Sequence, residues 1–253
     1  MDKTTTIRLS AALAGAIGLL AAPHAAIAEG DAVNGAPNIE VGIGVGAMHV
    51  SGGVDGIDDT GPAFNADIRI GLGSFPLSFE ARVLGGAFSI DDGQYFFEDE
   101  DYANVYLRDA DYSFVCGDVA LLLNLNRDGE VNPYIGGGVM WGVASVDGDV
   151  YYTLPGWRGH SDLLLHEEDE NVWDEDGATF IARAGVDFRM EGLFVRLDVG
   201  YLGELFDDDD EGQFILYGDV GVPFSDKCRA DIFGHYLTDY ECLAVGVGVT
   251  LTL

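Results

Sequence analysis

The sequence has few positively charged residues: 12 Lys and Arg stand against 44 Asp and Glu in 253 residues, a net charge of −32. Binding to a phosphate backbone requires basic side chains that displace its counterions, so this composition excludes nucleic acid as a partner. Cysteine is also scarce, and three Cys residues exclude a disulfide-dense scaffold. Disorder is excluded as well, because 48% of the residues are hydrophobic, with 14 Phe, 11 Tyr and 3 Trp among them.

Long apolar runs and helical periodicity are missing after Pro37, where no stretch reaches the ~20 apolar residues of a transmembrane helix. Apolar residues instead alternate with polar or small ones, a pattern that predicts β-strands. The alternating segments are 39–47, 64–72, 77–83, 115–125, 135–143, 180–188, 193–201, 214–222, a weaker 230–238, and 243–253. Most are close to the roughly 9–11 residues that a tilted strand needs to cross a bilayer.

The first 28 residues predict a cleaved export signal. Lys3 and Arg8 form a positive region, residues 9–22 are apolar, and Ala26-Ile27-Ala28 is a small-x-small cleavage site. A membrane anchor is the competing interpretation, but the apolar run is short for a span. We therefore expect a signal peptide at 1–28, a short N-terminal segment at 29–37 and one domain at 38–253.

The polar faces of the predicted strands carry isolated charges of both signs. Five arginines occupy strand interiors, and carboxylates lie near them on the same or other strands. This arrangement favours a closed barrel with an ion-paired interior and a lipid-facing apolar exterior, and the planar guanidinium of Arg can satisfy two carboxylates. The interior ion-pair candidates are Asp67, Arg69, Glu80, Arg82, Asp118, Arg183, Asp187, Arg189, Arg196, Asp198 and Asp219.

The connections between the segments alternate in length. Short ones at 74–76, 126–132, 190–192 and 223–227 alternate with longer ones at 51–62, 91–109, 147–177 and 205–212, and a fifth at 238–241 is tight. The four longer connections, together with residues 110 and 111, contain 26 of the 44 acidic residues. Short turns at one end and long loops at the other are typical of outer-membrane barrels.

Three motifs carry a resemblance to a known family. They are Pro133-Tyr134-Ile135-Gly136-Gly137-Gly138-Val139, then residues 182–188 with 195–201, and the Gly-rich final strand. Through these motifs, residues 37–253 resemble the small outer-membrane β-barrels of Gram-negative bacteria, the OmpA-, OmpX- and OmpW-like porin-family barrels. The resemblance implies an all-β, antiparallel up-and-down transmembrane barrel. The sequence departs from the usual pattern of this family in two respects. Its final residue is Leu253, where the family usually has an aromatic residue that the barrel-assembly machinery recognises. It also has two candidate strands more than the eight that many members of the family have. We predict ten strands, with eight as the alternative.

These observations predict an outer-membrane barrel with a structural or surface-interaction role. The alternatives are a narrow cation-preferring channel for small solutes and a soluble secreted β-protein. The expected partners are outer-membrane lipid, the barrel-assembly machinery, and divalent cations or surface ligands at the loops. No cofactor is expected.

Candidate sites in the loops are weaker. Trp157 and Trp173 are candidate anchors for a binding partner, or belong to an interfacial aromatic belt. Asp207-Asp208-Asp209-Asp210-Glu211 is a weak candidate for loose divalent-cation binding, although Gly218 stands where a calcium-binding EF-hand needs Glu.

No enzymatic activity is expected. There is no G-x-S-x-G motif, and the pair Asp231 and His235 on one strand face is typical of a structural role. The ten-strand register places Cys228 and Cys242 near opposite ends of the barrel, too far apart for a disulfide.

Overall fold

The computed structural model describes residues 38–51, 59–91, 93–95, 105–154, 163–203, 213–238 and 241–253. The predicted signal peptide and the segment 29–37 lie outside these ranges. Eleven strands are present: β1 (Ile39–Val50), β2 (Asp59–Gly71), β3 (Leu77–Ser89), β4 (Gly93–Tyr95), β5 (Val105–Asn124), β6 (Val131–Leu154), β7 (Leu163–Met190), β8 (Leu193–Leu202), β9 (Gln213–Ser225), β10 (Cys228–Leu237) and β11 (Cys242–Thr252).

Ten of these strands form a closed antiparallel barrel. Each of the ten strands pairs with the strands before and after it in the chain; because β4 lies outside the barrel wall, β3 pairs directly with β5. The barrel closes where the first strand, β1, pairs with the last strand, β11. The short β4 pairs only with the start of β5. The predicted up-and-down barrel and its ten strands are confirmed, and the alternative of eight strands is wrong.

The two ends of the barrel differ in their connections. Residues 72–76, 125–130, 191–192 and 226–227 connect strands at one end, which we call the short-turn end. At the opposite, long-connection end, β5, β6 and β7 reach 20, 24 and 28 residues. Pairing of β6 with β7 continues as far as Leu154 opposite Leu163.

The predicted boundaries of the long connections are therefore wrong in three places. Much of 147–177 is paired strand, and β2 and β5 begin inside the predicted loops 51–62 and 91–109. Outside a membrane, a paired strand no longer needs an apolar outer face. The alternating pattern consequently disappears before the backbone pairing does.

The outer surface is apolar around the barrel. Val45, Phe180 and Val247 are 66%, 80% and 61% exposed, as expected of side chains that face lipid. Phe214 and Phe224 on β9 also face outward. Their ten-residue separation corresponds to about 25 Å along the axis at about 3.3 Å per residue and a tilt of about 40°, which matches an outer-membrane apolar band. No helix in the described ranges is long and apolar enough to span a membrane.

Glycines on β1 and β11 leave space inside the barrel. Gly44 lies opposite Gly248, and Gly46 lies opposite Gly246. The ring of Phe233 occupies part of this space: a Cβ on Gly44 or Gly246 would lie 2.5 Å from a carbon of that ring. Larger residues at these two positions would displace Phe233.

Candidate functional site

Glu80 lies at the centre of a charged network that fills the short-turn half of the barrel. The side chain is fully buried. Its Oε1 atom lies 2.5 Å from Arg82 Nη2 and 2.9 Å from Arg183 Nη2, and its Oε2 atom lies 3.5 Å from Arg69 Nε and 3.9 Å from Arg196 Nη1. One carboxylate therefore lies within 4 Å of four guanidinium groups.

Asp187 is the second centre of negative charge. Arg69 Nη1 donates to its Oδ2 at 2.8 Å, and Arg196 Nε donates to its Oδ1 at 2.9 Å. Asn124 Oδ1 accepts from Arg69 Nη2 and from Asn132 Nδ2, each at 3.0 Å. The charges of Arg69 and Arg196 are thus met by carboxylates, and a further donor of Arg69 is met by an amide oxygen, as buried charges require.

Asp118 and Asp198 complete the network towards the middle of the barrel. Arg183 Nη1 and the Tyr217 hydroxyl each donate to Asp118 at 2.9 Å. The Tyr134 hydroxyl donates to Asp198 at 2.7 Å, and Arg183 Nη2 also pairs with this carboxylate. Hydrogen bonds to both oxygens of each carboxylate hold its orientation.

The network crosses the lumen. Arg82 on β3 places its guanidinium carbon 4.1 Å from the centroid of the Tyr217 ring on β9, which lies five strands away around the barrel. Arg69 on β2 and Arg183 on β7 likewise contact carboxylates on distant strands. These contacts join opposite walls of the barrel across the lumen.

An apolar cluster fills the long-connection half, which the sequence prediction of a polar interior did not include. Its members point into the lumen from the parts of the strands nearest the long-connection end. Met48, Leu107, Tyr112, Phe114, Met140, Ala144, Val146, Ile181, Leu202, Ile215, Leu237, Cys242 and Ala244 are all buried there. The lumen is therefore filled in two layers of different chemistry.

Nine of the eleven predicted ion-pair residues make ion pairs. They are Arg69, Glu80, Arg82, Asp118, Arg183, Asp187, Arg189, Arg196 and Asp198. Asp67 and Asp219 pair with no other described residue within 4 Å; both line a pocket that also includes Asn65.

Several interior polar residues were missed by the sequence prediction. Asn124, Asn132, Tyr134 and Tyr217 bond to the network, Glu40 lies 3.8 Å from Arg196, and Arg229 pairs with Asp231. Asn124 and Tyr217 point to the same side of their strands as the predicted charges of β5 and β9, while Glu40 and Asn132 lie in register with Arg69 and Asp187. Strand parity could have identified them.

The remaining candidate residues do not form a site. Trp157 and Asp207-Asp208-Asp209-Asp210-Glu211 lie outside the described residues; Trp173 is part of β7, but its side chain is not described. Asp231 accepts from Thr250 at 2.6 Å, whereas His235 packs its ring against Tyr217.

The cysteines and potential metal ligands are dispersed. All three cysteines are free; Cys228 pairs with Leu251 and Cys242 with Leu237, at opposite ends of the β10–β11 hairpin. In the described part of the chain, no three His, Cys, Asp or Glu side chains are grouped to hold a metal.

Comparisons with known proteins identify the fold. No protein-family model and no curated protein matches the chain. Among solved structures, the outer-membrane protease OmpT from Escherichia coli has a TM-score of 0.55 and 10% identity, covering 85% of this chain and 97% of that chain.

Two further matches have lower TM-scores. OprG from Pseudomonas aeruginosa has a TM-score of 0.42 and 10% identity, covering 86% of this chain and 97% of its own. The Yersinia pestis attachment invasion locus protein Ail, solved with a heparin analogue, has a TM-score of 0.39 and 10% identity, covering 86% and 99%. At such identities the match to OmpT shows a shared outer-membrane barrel fold and nothing about activity.

Proposed function

We propose that this chain is a non-conducting outer-membrane β-barrel that acts through the surface at its long-connection end. The observation that carries the proposal is the filled lumen. Arg82 contacts Tyr217 on the opposite wall, and a layer of buried apolar side chains lies above this level. Ions and solutes would have to displace both a charged and an apolar layer.

Placement in the outer membrane is supported by the outer surface and by the sequence of the N-terminus. The exposed apolar side chains, including Ile43, Val247 and Val249, would expose a large apolar area to water in a soluble protein. The N-terminal 28 residues carry the features of an export signal. Delivery by that signal and insertion by the barrel-assembly machinery follow from this proposal.

A surface-interaction role is supported by the charge of the long connections. Most of the acidic residues in the chain belong to these connections and the strand extensions that carry them. Such a concentrated negative field favours cationic partners and divalent ions and repels anions. The tryptophans at 157 and 173 supply the aromatic anchors that interfaces commonly use.

A non-enzymatic role is part of the same proposal. The protease OmpT shares the fold, but function depends on a site rather than on a fold. In the described interior, the Asp231 carboxylate is occupied by Arg229 and Thr250, and His235 packs against aromatic rings. Neither is arranged as a catalytic acid or base.

Single-channel recording tests the proposal. The mature chain from residue 29, refolded in detergent, is inserted into a planar bilayer, as wild type and as Arg196→Ala. We expect no conductance steps from either protein, because the apolar layer does not depend on Arg196. Discrete cation-selective steps that change with the substitution would favour the narrow channel instead. Extraction from cell membranes without detergent would favour a soluble secreted protein.

A further inference from the structure

A small pocket lies inside the short-turn half of the barrel, beside the charged network. Strands β1, β2, β8, β9, β10 and β11 form its walls. Its polar lining comes from Asn65, Asp67, Arg196, Asp219, Arg229, Asp231 and Thr250. Nothing in the network described above uses Asp67, Asp219 or Asn65.

Glycines create the space for this pocket. Gly42 on β1 lies opposite Asp67 on β2, and a Cβ on Gly42 would lie 2.8 Å from the Asp67 carboxyl carbon. Gly248 on β11 lines the same pocket, and Phe233 bounds it. The Asp67 carboxylate therefore lies over the backbone of Gly42, where any larger residue would displace it.

Three oxygen-bearing side chains in the pocket are without partners. Asp67 and Asp219 make no ion pair or hydrogen bond with any other described residue. Asn65 is 8% exposed, and its Oδ1 atom is buried with no hydrogen-bond partner. Burying such an acceptor without a hydrogen bond is unfavourable, and a bound cation or a water on that cation would satisfy an amide oxygen that lies beside two carboxylates.

The two arginines that line the pocket are engaged elsewhere. Arg196 pairs with Asp187 at 2.9 Å and also lies within 4 Å of Glu40 and Glu80. Arg229 pairs with Asp231, which also accepts from Thr250. The carboxyl groups of Asp67 and Asp219 therefore have no ion-pair partner within 4 Å among the described residues.

We propose that this pocket binds one hard divalent cation through the Asp67 and Asp219 carboxylates and the Asn65 amide oxygen. Ca²⁺ and Mg²⁺ prefer oxygen ligands, and water commonly completes their coordination. Two carboxylates balance a divalent charge. The site does not depend on whether the lumen conducts, and it is distinct from the acidic loop at 207–211.

Calcium titration calorimetry of the refolded barrel in detergent tests this site. The acidic loops will contribute weak binding, so the comparison uses two variants that remove the same charge. Asp67→Asn with Asp219→Asn removes the pocket carboxylates, and Asp207→Asn with Asp208→Asn removes two loop carboxylates. We expect the pocket variant to lose about one high-affinity site per barrel, and the loop variant to retain it.

A third variant distinguishes direct coordination of the cation by the amide oxygen from electrostatic attraction of the cation to the carboxylates. It also keeps the test valid if the double pocket variant does not fold. Asn65→Leu removes the amide oxygen and leaves every charge in place. We expect its calcium affinity to fall by about tenfold or more. Equal affinity of wild type and Asn65→Leu, loss of the site in the loop variant, or binding of Na⁺ but not Ca²⁺ would overturn the proposal.

Discussion

Glu80 is the residue on which the charged interior depends most. It is fully buried and lies within 4 Å of four arginine side chains. Without its charge, these guanidinium groups would repel one another in a medium that screens charge poorly. Removing one member of a buried ion-pair group is much more costly than removing the group as a whole.

We expect Glu80→Gln to lower the free energy of unfolding by about 3–5 kcal/mol. Urea unfolding of the barrel in lipid vesicles, followed by tryptophan fluorescence, measures the change. Glu130→Gln is the matched control, because Glu130 is exposed in a short turn and its loss should change stability by less than about 0.5 kcal/mol. Equal stability of the two variants would contradict a central role for Glu80.

Two neighbouring glycines on the β10–β11 hairpin have different surroundings. A Cβ on Gly246 would lie 2.5 Å from the Phe233 ring and would also contact the Val45 carbonyl oxygen; a Cβ on Gly234 would meet nothing within 4 Å. Gly246→Ala should therefore destabilise the barrel by about 1–3 kcal/mol through overpacking. Gly234→Ala should be neutral or stabilising by up to about 1 kcal/mol. The same unfolding assay measures both, and a reversed order would show that Gly246 is not constrained.

At the level of the strands, the registers determine which residues meet. Cys228 lies opposite Leu251, while Cys242 lies opposite Leu237. The two hairpin cysteines are therefore separated by the length of the hairpin. A one-residue slip would reverse the inward and outward faces of β10 and β11 and would turn Asp231 and His235 towards the lipid.

Cross-linking tests this register. We expect Leu251→Cys to form a disulfide with Cys228 under mild oxidation, because cross-strand partners bring their Cβ atoms within about 4.5–5.5 Å. Val249→Cys lies opposite Ala230 and should not form this bond efficiently. Non-reducing electrophoresis and mass mapping of the linked peptides distinguish the two, and a shift of the cross-link to residue 249 would indicate another register.

For the whole molecule, two layers of different chemistry fill one lumen. The charged network lies in the short-turn half and the apolar cluster in the long-connection half. Each layer blocks ions by a different mechanism, because the charges of the first are paired with one another and the second consists mainly of apolar side chains, which cannot replace an ion's hydration shell. Removal of either layer alone should leave the barrel closed.

We expect conductance only when both layers are weakened. Arg82→Ala with Asp198→Ala removes a network pair together, and Phe114→Ala with Met140→Ala opens the apolar layer. Each pair alone should give no channel steps, and the quadruple variant should give them. Leu121→Ala with Val139→Ala, which face outward, controls for a general loss of side-chain volume. Conductance steps from the Phe114→Ala and Met140→Ala double variant alone would show that the charged network does not block ions.

The sequence pattern predicted much of the fold and part of the interior. Ten alternating segments correspond to the ten barrel strands, because lipid outside and a narrow lumen inside impose a period of two. Charged residues such as Arg183 and Glu80 were identifiable because charge inside a strand is rare. The apolar cluster was not identifiable, since Phe114 lies just outside the alternating segment 115–125 and Met140 stands among glycines on the inner face of the segment 135–143.

The sequence by itself determined the ten alternating segments, their inward and outward faces and the concentration of acidic residues in the long connections and the strand extensions next to them, since these depend on local alternation and composition. The tertiary structure alone decided which charges meet. Arg82 reaches Tyr217, and Glu80 reaches four arginines, because barrel closure brings distant strands together. It also left Asp67, Asp219 and Asn65 around a shared space, since that gap depends on glycines from two strands that meet only where the barrel closes.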